Sequence, residues 1–180
     1  MRLICARTAV NGIVLTLLLA ASSAAQTMEK VDFFPDSIAE KDDHVVRLNG
    51  GSSWLLANRT TALAAADVLV VMRDVVVDGK RVPTAFLYVG GEEIPAKHVE
   101  GVYPKNVAYL TRVVAAEGGT TLRLADGTEL SVPRLDRYAA SRWTPPYKAL
   151  LTEGRIYLYN LKENRRVLVQ PAKSQSTKPK

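Results

Sequence analysis

The stretch "RLNGGSSWLLA", Arg47 to Ala57, returns 76 residues later in a diverged form, "RLADGTELSVP", Arg123 to Pro133. Both copies have the same order of parts. A leucine comes first, then a turn that contains glycine, then serine or threonine, and then two apolar residues spaced two apart. Residues two apart share one face of a β-strand, and glycine readily supplies the positive φ of a tight hairpin. The recurring phrase therefore predicts a β-hairpin in each half of the chain.

The chain between these phrases, and after them, is also typical of strands. Short apolar runs rich in β-branched and aromatic residues alternate with turn dipeptides such as Asp78-Gly79 and Gly90-Gly91. The pattern predicts strands at 45–48, 52–57, 68–77, 81–89, 97–103, 108–116, 121–124, 129–132, 149–152, 156–160 and 166–169. Little room is left for helix, so we expect at most one or two helical turns at 36–44, one helical turn at 60–67 and a short helix or irregular loop at 134–143.

The run "VLVVMRDVVV", residues 68–77, is apolar almost throughout. A strand with one face in water should alternate between apolar and polar residues, so this one is expected to be covered on both sides, as a strand shared between two lobes would be. Arg73 and Asp74 interrupt the run. We interpret them as a bulge or bend that lets the strand pass from one sheet to another.

After each copy of the opening phrase the same parts follow in the same order. An apolar strand, "DVLVVM" or "KALLT", precedes an aromatic strand, "AFLYV" or "IYLYN", and then a turn and a closing strand. This arrangement resembles the tandem SH3-like small barrels of secreted proteobacterial proteins. The second copy carries the resemblance, in "LADGTELSV" and in "IYLYNLKENRRVLV", where Asn160 ends the aromatic strand. The first copy departs from that pattern, since Gly50 replaces the aspartate and the closing asparagine is absent.

The resemblance implies an architecture and an envelope setting but no activity, because folds of this kind carry many unrelated functions. We therefore expect an all-β protein, built as two related SH3-like small barrels or as one two-lobed antiparallel sandwich. The predicted organisation is a signal peptide at 1–25, a linker at 26–44, a first lobe at 45–106, a second lobe at 107–170 and a disordered basic tail at 171–180.

The N-terminus has the order of a secretory signal peptide. Arg2 and Arg7 precede the apolar run from Gly12 to Ala21, and small residues follow it. The run is shorter than the roughly 18 apolar residues that span a bilayer, so we expect cleavage after Ala25 and no transmembrane segment in the mature chain. The predicted location is the periplasm or the exterior of the cell.

Removal of the signal peptide would also remove Cys5, the single cysteine, so neither a disulfide nor a cysteine metal cage is expected. Charge is uneven along the remaining chain. Residues 26–130 hold 11 basic and 15 acidic side chains, a net of −4, whereas residues 131–180 hold 11 basic and 3 acidic side chains, a net of +8. This asymmetry indicates an anionic partner for the C-terminal part, or simply a solvated basic face. Nucleic acid suits the charge but not an exported location.

The stretch from Arg134 to Lys148, fifteen residues long, contains both guanidinium groups and aromatic rings. Such a mixture can hold an anionic polymer through bidentate hydrogen bonds and stacking, or serve as a contact site for a protein. The alternative is that its aromatic rings pack in the core. The candidate binding residues are Arg134, Arg137, Tyr138, Arg142, Trp143, Tyr147 and Lys148.

Patterns for catalysis and metal binding are weak. His98 and Glu100 lie two apart on an expected strand, but no third ligand stands at a recognisable spacing. No "G-x-S-x-G" element occurs, and Glu92 and Glu93, as neighbours on a strand, should point to opposite faces and so cannot flank one bond together. The sequence predicts no catalytic, cofactor or metal site.

The chain is therefore interpreted as a non-catalytic binding module of the bacterial envelope. Its expected partner is an anionic envelope polymer or a protein, engaged through the basic C-terminal lobe. An inhibitor or accessory subunit of another secreted protein is the alternative, and a hydrolase comes third. The sequence leaves the oligomeric state open.

Overall fold

A computed structural model of the protein describes residues 28–172, which form thirteen strands and one short helix. The predicted all-β class is confirmed. Lobe 1, as we name the first half, contains β1 (Glu29–Asp42), β2 (Val45–Leu48), β3 (Ser53–Leu56), β4 (Asp67–Val77), β5 (Lys80–Val89) and β6 (Glu92–Glu100). Lobe 2 contains β7 (Asn106–Glu117), β8 (Thr121–Leu124), β9 (Glu129–Ser131), α1 (Arg137–Ser141), β10 (Tyr147–Thr152), β11 (Tyr157–Asn160), β12 (Arg165–Leu168) and β13 (Gln170–Pro171).

Lobe 1 is a closed antiparallel barrel. Its strands pair in the order β1-β2-β3-β6-β5-β4, and β4 pairs back onto β1 from Ser37 opposite Asp67 to Asp32 opposite Met72. Closure satisfies the backbone groups that an edge strand would leave open.

Lobe 2 repeats this order of pairing. Its strands pair in the order β7-β8-β9-β13 on one side. On the other side they pair in the order β12-β11-β10-β7, so β10 pairs back onto β7 as β4 does onto β1. Only Val169 separates β12 from β13, so together they stand where β6 stands in lobe 1. Each strand of lobe 1 consequently has a counterpart in lobe 2.

The two phrases of the sequence form the same hairpin turn. The Leu48 nitrogen donates to the Ser52 oxygen at 2.8 Å, and the Leu124 nitrogen donates to the Thr128 oxygen at 2.9 Å. The glycines at the third turn position have φ of 89° at Gly51 and 88° at Gly127, values that L-residues rarely adopt. Both predicted hairpins are thus present.

The segment expected to be a linker, 26–44, contains the longest strand instead. β1 pairs with β2, β4 and β7, so it belongs to lobe 1 and also joins the lobes. The prediction weighed the charges of this segment and overlooked its apolar side chains, since Val31, Phe33, Phe34 and Ile38 are all buried.

Three buried clusters stabilise the molecule. One lies inside lobe 1 around Phe34 and Trp54, and one lies inside lobe 2 around Leu130 and Trp143. The third cluster is formed between the lobes, by side chains such as Leu69, Phe86 and Tyr88 of lobe 1 with Leu150 and Tyr159 of lobe 2. Each lobe has a core of its own, and the outer faces of β4 and β5 in lobe 1 pack against those of β10 and β11 in lobe 2.

This arrangement explains the continuous apolar run of β4. Val68 and Val70 face the core of lobe 1, whereas Leu69 and Val71 face the cluster between the lobes, which confirms coverage on both sides. The bulge expected at Arg73 and Asp74 is wrong, because β4 pairs with β5 in continuous register from Leu69 to Val77. Register shifts occur instead on β1, between Ile38 and Glu40, and at the corresponding part of β7.

Other local expectations met mixed outcomes. The helical turn expected at 60–67 is wrong, since that stretch is irregular with a turn at its centre, while the short helix expected within 134–143 is confirmed as α1. Pro171, assigned to the disordered tail, pairs with Leu130 as the end of β13. The signal peptide predicted at 1–25 and the tail residues 173–180 lie outside the described residues. In the described part of the chain, no helix has the length and apolar character needed to cross a membrane.

Candidate binding groove between the lobes

Two of the seven candidate binding residues are core side chains. Trp143 is 5% exposed and Tyr147 is 5% exposed, both within the core of lobe 2, where their rings meet edge to face at 5.8 Å between centroids. The alternative considered for these aromatic rings, that they supply core packing, is confirmed. The Trp143 ring cannot present a face to a ligand.

Four more candidates surround α1 on the surface. Arg134, Arg137, Tyr138 and Arg142 are exposed, and the Arg142 guanidinium lies over the Tyr138 ring at 5.5 Å from its centroid. Arg137 Nε donates to the Val132 oxygen at 3.1 Å. These side chains line none of the hollows described below.

The seventh candidate, Lys148, lies apart from the others on β10, in a groove where the two lobes meet. The groove consists of two hollows, of about 330 and 230 Å³, that share Arg112 and Lys148. Glu29, Arg73 and Thr111 also line the larger hollow. The smaller hollow is lined further by Tyr88, Glu93, Tyr147 and Lys162. Boundaries between lobes are a preferred location for ligand pockets, because two surfaces contribute side chains there.

Glu93 connects the two lobes electrostatically within this groove. One oxygen of its carboxylate lies 2.7 Å from the Arg73 guanidinium of β4, and the other lies 2.5 Å from Lys148 Nζ of β10. The Arg73 guanidinium also lies over the Phe86 ring, 4.3 Å from its centroid, and this cation–π contact helps to position it. The Arg73 side chain is 21% exposed and that of Glu93 28%, so water screens this pair only partly.

Arg112 makes no ion pair with any described residue, although it lies directly opposite Lys148 where β7 pairs with β10. Two like charges at opposed positions of a strand pair repel each other. Both side chains are exposed, so water reduces this repulsion, and an anion bound between them would remove it.

Polar atoms without partners are concentrated in the same groove. Among the described residues, five buried side-chain nitrogen or oxygen atoms lack a hydrogen-bond partner, and four of them belong to groove residues: Arg73 Nε, Tyr88 Oη, Thr111 Oγ1 and Tyr147 Oη. Buried polar atoms are normally paired, and leaving one unpaired costs about 1–3 kcal/mol. Thr111 pairs with Ala149 of the lobe 2 core, so its side chain and that of Tyr147 point to the opposite face of their strands from Arg112 and Lys148. The Tyr88 hydroxyl lies beside the Glu93 carboxylate.

All four atoms can donate a hydrogen bond. A guanidinium nitrogen only donates, and the hydroxyls of threonine and tyrosine donate while protonated. Burial raises the pKa of the Tyr88 hydroxyl well above its ordinary value, and the neighbouring Glu93 carboxylate raises it further. Burial also raises the pKa of Tyr147. Both tyrosines therefore keep their protons.

The groove is particular to one side of the molecule. The first residue of the hairpin turn in each lobe, Asn49 or Ala125, donates its backbone N–H to a backbone oxygen of the long strand before it. The acceptor is Ser37 in lobe 1 and Arg112 in lobe 2, so these two residues occupy equivalent positions. Ser37 in turn pairs with Asp67, as Arg112 pairs with Lys148. Lobe 1 therefore carries a serine and an aspartate where lobe 2 carries two cations.

The opposite mouth of the lobe boundary differs in its chemistry. Arg166 is the counterpart of Glu93, since each is paired with a tyrosine of the aromatic strand, Tyr159 or Tyr88. Arg166 donates to the Tyr159 hydroxyl at 3.1 Å, and its guanidinium lies 4.5 Å from the centroid of the Tyr157 ring. It also lines a separate hollow of about 570 Å³.

The sequence pointed to Lys148 and Tyr147 but missed the other groove residues, Arg73, Tyr88, Glu93, Thr111 and Arg112. One signal was present, since Arg73 and Arg112 each interrupt an apolar strand, in "VLVVMRD" and "YLTRVV". A cation within an otherwise apolar strand suggests a buried charged site as readily as a bulge.

The remaining candidates for chemistry are dispersed. Glu92 and Glu93 point apart as predicted, since Glu92 accepts hydrogen bonds from Thr60 and Thr61 while Glu93 contacts Arg73. The His98 ring packs edge-on against Trp54, 5.0 Å between centroids. Within residues 28–172 no group of three or more histidine, cysteine or acidic side chains is placed to hold a metal ion.

Comparisons of the chain with models of known protein families, with curated proteins and with solved structures found no match. The function is therefore argued from the groove itself.

Proposed function

We propose that this protein is an exported, non-catalytic binding module of the bacterial envelope, which holds an anionic group of an envelope polymer or a protein partner in the groove between its lobes. The observation that carries the proposal is the cluster of three cations, Arg73, Arg112 and Lys148, at the boundary of the lobes, of which Arg112 has no ion pair among the described residues. An anion with several acceptor oxygens would pair with these cations together. The N-terminal sequence pattern supports export.

We also propose that the two lobes descend from a duplicated SH3-like barrel. The shared order of pairing and the matching hairpin turns support this origin. Asn160, the closing asparagine of the second copy, is buried and accepts hydrogen bonds from the Lys162 and Glu163 nitrogens. After a duplication, the scaffold would be kept in both copies while one face of lobe 2 gained its cations.

The test compares four variants that each remove one positive charge. Arg112→Gln and Lys148→Gln alter the groove, whereas Arg134→Gln and Arg142→Gln alter the exposed loop around α1. We expect the protein to be retained on at least one of three immobilised polymers, poly-L-glutamate, polyphosphate or dextran sulfate. A charged hydrogen bond contributes roughly 1.5–3 kcal/mol, so each groove variant should bind about ten-fold or more weakly.

The two loop variants serve as the charge-matched control and should bind nearly as the unaltered protein does. Equal weakening in all four variants would mean that net charge alone causes retention, which contradicts the groove proposal. Recovery of one stoichiometric protein partner that resists salt would instead favour the inhibitor or accessory-subunit function.

A further inference from the structure

We infer that the partner is a protein, which adds an extended acidic peptide as a new strand to the free edge of β4 and places the acidic end of that peptide in the groove. This partner deepens the proposed function and rests on it, because the peptide supplies the anion that the groove is proposed to hold. The edge belongs to a β-ribbon, which we define as residues 73–84 of the β4–β5 hairpin.

The ribbon extends beyond the barrel of lobe 1. β1 pairs with β4 only as far as Met72, and β6 pairs with β5 only from Ala85 onward. β4 and β5 nevertheless continue to pair with each other, up to Val77 opposite Lys80. In the ribbon, each strand therefore has one edge without a partner strand among the described residues.

The two open edges differ in the backbone groups that they present. The turn Asp78-Gly79 has two residues at positive φ, and the pair that closes such a hairpin is joined by hydrogen bonds. Because hydrogen-bonded and non-hydrogen-bonded pairs alternate, Asp74 and Val76 direct their N–H and C=O groups away from β5. Opposite Asp74, the β5 edge has Pro83, which lacks an N–H and so protects that edge. Only the β4 edge keeps its full set of donors and acceptors, and strand addition to such an edge is a common mode of peptide recognition.

The open edge of β4 begins at the groove. β1 and β4 separate there, because the first residues of β1 pair with β7 instead, as far as Glu29 opposite Leu110. The larger hollow lies in this fork, since Glu29 of one branch and Arg73 of the other both line it. A strand added to β4 cannot continue inward beyond Arg73, because β1 occupies the edge from Met72 onward. The chain of an added peptide therefore has to enter the hollow.

The side chains along this path indicate the composition of the peptide. On the ribbon, Val76 is 68% exposed and Val77 is 52% exposed, so both can contact apolar β-branched side chains of an added strand. The groove holds four cations and two carboxylates, a net charge of +2, from Arg73, Arg112, Lys148, Lys162, Glu29 and Glu93. A peptide that is apolar along the ribbon and acidic at the groove complements both. A polysaccharide or a polyphosphate has no row of amides to pair with the β4 edge, so the edge favours a peptide.

The experiment measures the affinity of synthetic peptides that alternate valine with threonine and carry a short run of glutamates at one end. Two versions place the glutamates first or last, because an added strand can run parallel or antiparallel to β4. We expect one version to bind, and Arg112→Gln to weaken it about ten-fold or more.

The control peptides have the same side chains and carry N-methyl groups on one or the other set of alternate amides. Alternate amides of a strand face opposite edges. Methylation of the set that faces β4 should therefore weaken binding about ten-fold or more, whereas methylation of the other set should leave it nearly unchanged. This comparison uses the unaltered protein.

A substitution in β4 makes the complementary test. Val76→Pro removes one N–H from the open edge and should weaken the peptide about ten-fold or more. Val76→Thr is the matched control, because it keeps both the N–H and the β-branched shape, and its affinity should stay within about two-fold. Circular dichroism checks that both variants keep the fold of the unaltered protein.

The outcomes separate this partner from the proposed function. Should neither peptide bind, or should neither methylation nor Val76→Pro weaken binding, the added strand is wrong, and Arg112-dependent retention of polygalacturonate or polyphosphate would leave the anion-binding function standing. Should no probe depend on Arg112, the proposed function is wrong. A protein that dimerises without peptide and becomes monomeric in Val76→Pro would show that a second copy covers the edge, which overturns the peptide partner.

Discussion

Arg112 lies directly opposite Lys148 across the pairing of β7 with β10, at positions where lobe 1 holds Ser37 opposite Asp67. Two cations thus face each other in lobe 2, and Glu93 from lobe 1 contacts only one of them. A bound anion would relieve this repulsion, so the proposed function predicts that the free protein loses some stability at this pair of cations. This relationship between function and stability can be measured.

Replacing Arg112 should therefore stabilise the free protein while it weakens binding. We expect Arg112→Gln to raise the free energy of unfolding by roughly 0.2–1 kcal/mol, because it removes the opposed like charge. The measurement is urea denaturation at low ionic strength. Arg123→Gln is the control in the same lobe, since Arg123 lies opposite Glu129 and its loss should lower stability slightly. A marked loss of stability in Arg112→Gln would show that Arg112 has a structural role.

Trp143 should behave as a core residue and not as part of a binding surface. Trp143→Ala removes a buried ring from lobe 2 and should lower the free energy of unfolding by about 3–5 kcal/mol. Arg142→Ala changes an exposed neighbour and should stay within about 0.5 kcal/mol of the unaltered protein. Chemical denaturation followed by circular dichroism measures both, because Trp143→Ala leaves lobe 2 without a tryptophan to report on its unfolding. A Trp143→Ala variant that keeps its stability and loses binding would restore the loop as the candidate site.

Gly119 should be required by the close approach of α1 to the β7–β8 turn. A Cβ atom there would meet the Arg137 carbonyl oxygen and, at 2.6 Å, the Ser141 nitrogen, whereas one on Gly118 would meet nothing within 4 Å. Both glycines have positive φ, so alanine costs about 1–2 kcal/mol at either site from backbone strain. Gly119→Ala should cost clearly more than Gly118→Ala in thermal denaturation. Equal losses would mean that α1 does not pack against the turn.

Tyr88 and Tyr147 should make the protein sensitive to alkaline pH. Their pKa values are raised in the folded state, so above the ordinary tyrosine pKa of about 10 the unfolded chain loses protons that the folded chain retains. Stability from these groups is constant below that pH and falls as the pH rises beyond it. Urea denaturation between pH 8 and about 11 measures the slope.

The variants Tyr88→Phe and Tyr147→Phe should each flatten this alkaline decrease, because the hydroxyl that ionises only on unfolding is gone. Tyr138→Phe is the control, since Tyr138 is 74% exposed. It should leave the decrease unchanged. If all three variants flatten the curve equally, burial of the two groove tyrosines is not the cause.

Local patterns were sufficient to predict most strands. The hairpin turns at Gly51 and Gly127 follow from short-range chemistry, because a glycine at positive φ and a hydrogen bond across the turn depend on residues that are close in sequence. The strands at Val45–Leu48 and Thr121–Leu124 have the predicted bounds for the same reason. β1 was missed because Val31 and Phe33 are buried by β7 and its neighbours, which follow much later in the chain.

The sequence by itself determined the all-β class, the two hairpin turns and the burial of β4 on both faces, since each depends on periodicity within a few residues. Only the tertiary structure decided where the candidate site lies. Arg73, Glu93, Arg112 and Lys148 are far apart in the chain and meet because β1 and β7 join the lobes and the outer faces of β4 and β10 pack together. A site built from four strands of two lobes has no local pattern, because its geometry arises from strand pairing between distant segments.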